Sequence, residues 1–135
     1  MAGRKKVKSL KGFKAFNKVF DNAIKYKSSK LLMAFTFDNE NSDTLLLGVS
    51  SPKKKSKKAV WRNRIKRLLR ESIRQINAES DSLIYFKNII LIWYIPLEKS
   101  SLLRLDEVKS EVNGLLNRAI CKYNEIHSDS HNKTL

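Results

Sequence analysis

One cysteine, Cys121, occurs in 135 residues, so no internal disulfide can staple the chain, a usage compatible with a reducing cytosol. Two prolines and four glycines leave no Pro-, Gly- or Ser-rich linker and no Gly-rich phosphate loop. No apolar run approaches the roughly 20 residues of a membrane-spanning helix, and the longest candidate, IILIWYIPL, stops short. The N-terminal stretch MAGRKKVKSLKGF starts basic, as a secretory signal does, but lacks the apolar run of roughly 7–15 residues that must follow. These absences give the expectation of a soluble, cytoplasmic protein without a membrane partner. Acid is scarce as well: 13 Asp and Glu stand against 28 Lys and Arg, a formal net charge of +15. That imbalance argues for a polyanionic partner, for which nucleic acid is the simplest choice.

The length suits one compact domain able to bury a core unaided. Charge is unevenly placed along it. Residues 1–75 carry 21 Lys and Arg against 5 Asp and Glu, whereas residues 76–135 carry 7 against 8, so the anion-binding surface belongs to the first half. Its densest part is AVWRNRIKRLLRES, Ala59 to Ser72. At about 100° per residue, Trp61, Ile65, Leu68, Leu69, Ser72, Ile73 and Ile76 share one side of a helix, with Asn63, Lys66, Arg67, Arg70 and Arg74 opposite. Solvated helix faces usually mix charge signs at i and i+4. Here Arg62–Lys66, Lys66–Arg70 and Arg70–Arg74 are all like-charge pairs, each costing about a few tenths of a kcal/mol. The preceding KKKSKK, residues 53–58, adds five lysines, and phosphate would balance both segments.

Residues 1–9 read as a basic flexible tail. Phe13, Phe16, Val19, Phe20 and Ala23 then fall at helical spacing. KLLMAFTFD and TLLLGVSS, separated by NENSD, read as a hairpin. NIILIWYI reads as a strand buried on both faces and ended by Pro96. Leu105, Val108, Val112, Leu115, Leu116, Ala119, Ile120 and Tyr123 mark a last helix, whose early Asp106 and Glu107 and late Arg118 and Lys122 suit its dipole. Residues 125–135 read as a polar flexible tail. The order α-β-β-α-β-α over residues 10–124 places the chain in the α+β class, a small single-domain sandwich of helices on a central sheet.

Catalytic and metal constellations are weak. His127 and His131 lie four apart in the polar tail, with no Cys, Asp or Glu to complete a metal site. Cys121 has no histidine partner, and its place in the last helix points to a buried thiol rather than a nucleophile. Glu71, the lone carboxylate among the helix cations, suits an ion pair. Phe16, Phe20 and Phe35 admit two readings: core packing, the default for aromatics, or a stacking platform worth about 1–3 kcal/mol per base. Asn63, between two arginines, offers donors and an acceptor and suits an anchor for RNA or for neighbouring backbone.

The run Arg62-Asn63-Arg64 inside AVWRNRIKRLLRE, with FNKVF at residues 16–20 and LGVSSPKK ahead of the helix, resembles the bacterial ribonuclease P protein component over roughly Leu10 to Tyr123. The resemblance implies a ribosomal-protein-like domain with a left-handed β-α-β crossover, against the usual right-handed rule. It also implies a protein subunit that binds a large catalytic RNA. Together they remove the 5′ leader from precursor tRNA by endonucleolytic hydrolysis, with Mg²⁺ held mainly by the RNA and no catalytic or metal-binding residue in the protein. No obligate protein partner is implied.

Carried over by position, Arg62, Asn63, Arg64, Lys66, Arg67 and Arg70 would face the RNA subunit. Phe16, Phe20 and Phe35 would line a cleft for the single-stranded leader, with Lys53 and Lys54 at its rim. Two departures from the family pattern stand out. No Gly precedes Ala59-Val60, which leaves Lys55, Lys57 and Lys58 without assigned roles, and WYIP places Tyr94 where many members have a basic residue. Two other classes share the charge. A general or ribosomal RNA-binding protein would bind precursor and mature tRNA equally, and a basic amphipathic helix could serve an acidic membrane surface or a partner helix.

Overall fold

The computed structural model describes residues 5–52, 59–94 and 103–133, with side chains to residue 127. Strand β1 (Lys6–Ser9) leads into helix α1 (Phe13–Asn22), followed by β2 (Ile24–Lys27), β3 (Leu31–Phe37) and β4 (Thr44–Ser50). Helix α2 (Ala59–Glu79), a 3₁₀ turn (Ser82–Tyr85), β5 (Phe86–Trp93) and α3 (Leu105–Lys133) complete the chain. The strands form one sheet in the order β1-β4-β5-β3-β2. Strand β5 is parallel to β4, and β1 is parallel to β4 on its other side, while β3 runs antiparallel to both β5 and β2.

The class is α+β, as the sequence implies, but the reading changes in five places. KLLMAFTFD and TLLLGVSS do not pair as a hairpin, because β5 lies between them. A strand as apolar as β5 is stable only with neighbours on both edges and cover on both faces, and β3 and β4 supply the edges. The supposed N-terminal tail contains β1, whose Val7 faces inward beside Leu45 while Lys6 and Lys8 point the other way. The short β2, IKYK, alternates with the same period and went unread for its brevity. The C-terminal tail is helical to Lys133. Nothing in NEIHSDSHNK breaks a helix, and Tyr123 stacks on His127 one turn later, with ring centroids 3.9 Å apart. Cys121 is exposed rather than buried, since it lies about 200° around the helix from Ala119. Pro96 lies outside the described residues.

Register assigns every strand side chain to one of two faces. Phe35 pairs with Ile89 and Ile89 with Leu47; Met33 pairs with Leu91, and Leu31 with Trp93. These residues meet α2 and α3 through Ile65, Leu69, Ile73, Val108, Val112 and Leu116, and all belong to one buried cluster. Those α2 and α3 positions are the ones their apolar periodicity selects. On the opposite face lie Ala34, Ile90 and Gly48 in one row, with Leu32, Ile92 and Ser50 in the next. This second face receives α1, the shortest of the three helices. Gly12, at φ 95°, permits the left-handed backbone that swings the chain from β1 onto it.

Candidate nucleic-acid interface

Helix α2 contains no Gly or Pro, and Leu, Arg, Lys, Gln and Glu, which dominate it, are good helix formers. Its inward side buries Ile65, Leu69, Ser72, Ile73 and Ile76, and Ser72 Oγ satisfies itself on the Leu68 carbonyl at 2.8 Å. This fixed inner side forces Asn63, Arg64, Arg67, Arg70 and Arg74 into solvent, with Arg62 and Lys66 half-buried at the flanks. Arg64 Nη2 donates to the Leu103 carbonyl at 2.8 Å, so this arginine also fastens α2 to the segment entering α3. Arg62 is likewise engaged within the molecule. Arg74 pairs with Glu71 at 3.3 Å, as the lone carboxylate suggested. The ion pairs of the described residues leave Lys66, Arg67 and Arg70 unmatched.

A second surface lies across the sheet, where α1 buries none of its residues completely. Phe16 is half-buried, and a Cβ added to Gly48 would come within 3.1 Å of its ring. Glycine is therefore what lets the aromatic ring approach the sheet. Phe20 is half-buried beneath Lys25, whose Nζ lies 4.7 Å from the ring centroid. Phe13, at the start of the helix, is 81% exposed. Beside this aromatic ridge the sheet presents the half-buried Leu32, Leu46 and Ile92, flanked by Lys6 and Lys8 at one edge and Lys25 and Lys27 at the other. An apolar floor with aromatic rings and lysines at its sides is the combination that holds unpaired nucleotides.

Gly48→Val should push the Phe16 ring off the sheet while α1, having no buried anchor, moves with it. The expected cost in stability is about 1–3 kcal/mol, read from urea unfolding, with a larger relative loss in single-stranded RNA binding. Unchanged RNA binding would remove the Phe16–Gly48 contact from the surface that matters.

Phe35 does not join Phe16 and Phe20. It is 0% exposed and points to the α2 and α3 side, against Tyr26, Phe37 and Phe86 at centroid distances of 5.3 to 5.6 Å. Its pleat position, one residue out of phase with the cleft, excludes it. Lys53 and Lys54, with Lys55, Lys57 and Lys58, lie outside the described residues. Tyr94 has intramolecular work: its hydroxyl donates to the Ser28 carbonyl and its ring lies 4.7 Å from Lys27 Nζ. Sequence reasoning missed Lys25, Leu32, Leu46 and Ile92, which only the strand register brings under α1.

Among the described residues no three His, Cys, Asp or Glu side chains converge as a metal site, and Glu71 is already met by Arg74. Glu79, the other described carboxylate of α2, is likewise met by a cation, Lys109, at 2.8 Å. No described helix is long and apolar enough to cross a membrane.

The profile of the family described as Ribonuclease P matches residues 5–120. The ribonuclease P protein component of Prochlorococcus marinus is 31% identical over 73% of this chain and 85% of that protein. The component from a Psychrobacter species is also 31% identical, over 79% and 76%. The Staphylococcus aureus RNase P protein has the same fold, with a TM-score of 0.65 at 22% identity, covering 82% of this chain and 94% of that one. A profile spanning both candidate surfaces, two relatives and a shared fold agree: the chain belongs to the ribonuclease P protein component family.

Proposed function

We propose that this chain is the protein subunit of a ribonuclease P holoenzyme, binding the catalytic RNA with the outer side of α2 and the 5′ leader of precursor tRNA in the cleft beneath α1. The observation that carries this reading is the separation of two RNA-suited surfaces by one sheet. The unmatched cations Lys66, Arg67 and Arg70 stand on the helix side, and the half-buried Phe16 and Phe20 stand on the other. Phosphate contacts on the first position the protein on folded RNA. Stacking on the second selects unpaired nucleotides, which a leader has and a mature 5′ end lacks.

In this reading the hydrolysis takes place on the RNA, which also holds Mg²⁺, and the protein's part is electrostatic and positional. Its cations screen phosphate repulsion between the RNA subunit and the substrate. The test is cleavage of a precursor tRNA by a bacterial ribonuclease P RNA at low Mg²⁺, with and without the protein. Correct 5′ maturation only when both are present is the expected result. Binding without stimulation would make the chain a general RNA-binding protein, and cleavage by the protein alone would overturn the division of labour.

Phe20→Ala sharpens the same test. Loss of one stacking contact, worth about 1–3 kcal/mol, should weaken precursor tRNA binding by roughly 5- to 150-fold. Mature tRNA binding should hardly change. Equal losses for the two tRNAs would count against a leader cleft.

A further inference from the structure

A groove between β1 and the C-terminal half of α2 adjoins the outer side of that helix and brings in Val7, Arg74 and Asn77, which neither surface above uses. It encloses about 400 Å³, is floored by Val7 and Leu47, and is edged by Lys8, Arg70, Arg74 and Asn77. Two of them, Arg70 and Arg74, are cations on the α2 side of the sheet, and none of the lining residues is a carboxylate. Glu71 meets Arg74 at 3.3 Å, but the Arg74 side chain is 74% exposed, so solvent screens the pair and a phosphate can replace it. Asn77 is held in place by donating from Nδ2 to the Lys5 carbonyl at 2.8 Å, with its remaining amide hydrogen and its carbonyl oxygen left for a ligand. Strand β1 closes the sheet, with β4 as its one strand neighbour, so the groove opens along an unpaired strand edge.

An apolar floor beside clustered cations suits a base or ribose joined to a phosphate. The volume is near the lower end of small-molecule sites, roughly 300–1,000 Å³, and admits a nucleotide but no duplex. We propose that this groove holds an unpaired nucleotide of the RNA subunit, its phosphate between Arg70 and Arg74 and its base on Val7 and Leu47. The proposal rests on the ribonuclease P reading above. The RNA subunit is the source, rather than the leader, because the groove shares Arg70 with the outer side of α2. Register also puts Leu47 on the face opposite Gly48, which meets Phe16.

The experiment uses the full chain with Cys121→Ser and Ser9→Cys, the new thiol carrying a short photo-crosslinker at the groove's lining. It is irradiated with the RNA subunit and with precursor tRNA, and crosslinked nucleotides are mapped. Crosslinks to unpaired nucleotides of the RNA subunit are expected, with loss of those crosslinks and a tenfold or greater fall in RNA-subunit affinity on Arg74→Glu. The milder Arg74→Gln should give a smaller fall in the same direction, and circular dichroism of both variants checks the fold. Crosslinks to the leader, to duplex only, or to nothing would overturn the proposal, as would unchanged affinity in both Arg74 variants. Low-Mg²⁺ cleavage with the unmodified protein separates the two failures. If it stimulates and the groove result is negative, only the groove assignment falls; if it does not stimulate, the function falls first.

Discussion

Lys5→Met should destabilise the protein by about 3–5 kcal/mol, because it removes one partner of a buried ion pair and strands the other. Lys5 Nζ contacts Asp38 Oδ2, with side chains 4% and 1% exposed, and donates to the Phe86 carbonyl at 2.8 Å. Asp38 in turn accepts the Glu40 and Ser42 backbone N–H groups, both at 2.9 Å, which shape the turn between β3 and β4. Burial acts to raise the Asp38 pKa, but the Lys5 hydrogen bond, the Glu40 N–H, the Lys5 charge and the Ser42 N–H outweigh it. The carboxyl is held below its ordinary 3.8.

The folded state therefore binds the Asp38 proton more weakly than the unfolded state does. Its stabilisation is present above about pH 4 and is lost as pH falls through 3.8 and then the lower folded value. In Lys5→Met the sign reverses: the unpaired carboxylate is relieved by protonation, so the gap between variant and wild type should narrow as pH falls below about 4. Urea unfolding at pH 7 and across the acid range measures both effects. A gap below about 1 kcal/mol at pH 7, or one that does not narrow in acid, would show that the pair does not hold β1 in place.

That pair also shows where the sequence was opaque. Lys5 and Asp38 lie 33 residues apart, and nothing local marks either as buried. A lysine in a basic N-terminal run is solvated in most chains, and only the distant carboxylate makes burial of Lys5 favourable. By contrast, α2 and the body of α3 were legible, because an apolar stripe at three and four residue spacing has one physical solution. The runs that became β3, β4 and β5 were legible as strands. Their order was not, since adjacency in sequence favours a hairpin and only the greater apolarity of β5 places it between the other two. The same limit explains Phe35. A one-residue difference in pleat phase decides between core and cleft, and that phase is fixed by pairing with β2 and β5, which no single strand displays.

Alanine at Lys66, Arg67 and Arg70 together should lower RNA-subunit affinity by about two orders of magnitude at 0.1 M salt. Each phosphate contact contributes roughly 0.7–0.9 to the slope of log affinity against log salt. Losing three makes the slope shallower by roughly 2–3, so the difference from wild type is greatest at low salt and fades toward 1 M. The same substitutions should leave the fold intact or firmer. These side chains make no ion pair among the described residues, alanine is the better helix former, and the like-charge repulsion between Lys66 and Arg70 disappears. Binding and thermal stability are thus expected to move in opposite directions, as they must where a helix carries charge for a partner rather than for itself. A wild-type salt slope in the triple variant would place the RNA elsewhere. A drop in melting temperature would mean that these cations serve the fold, and the excess charge of α2 would lose its functional explanation.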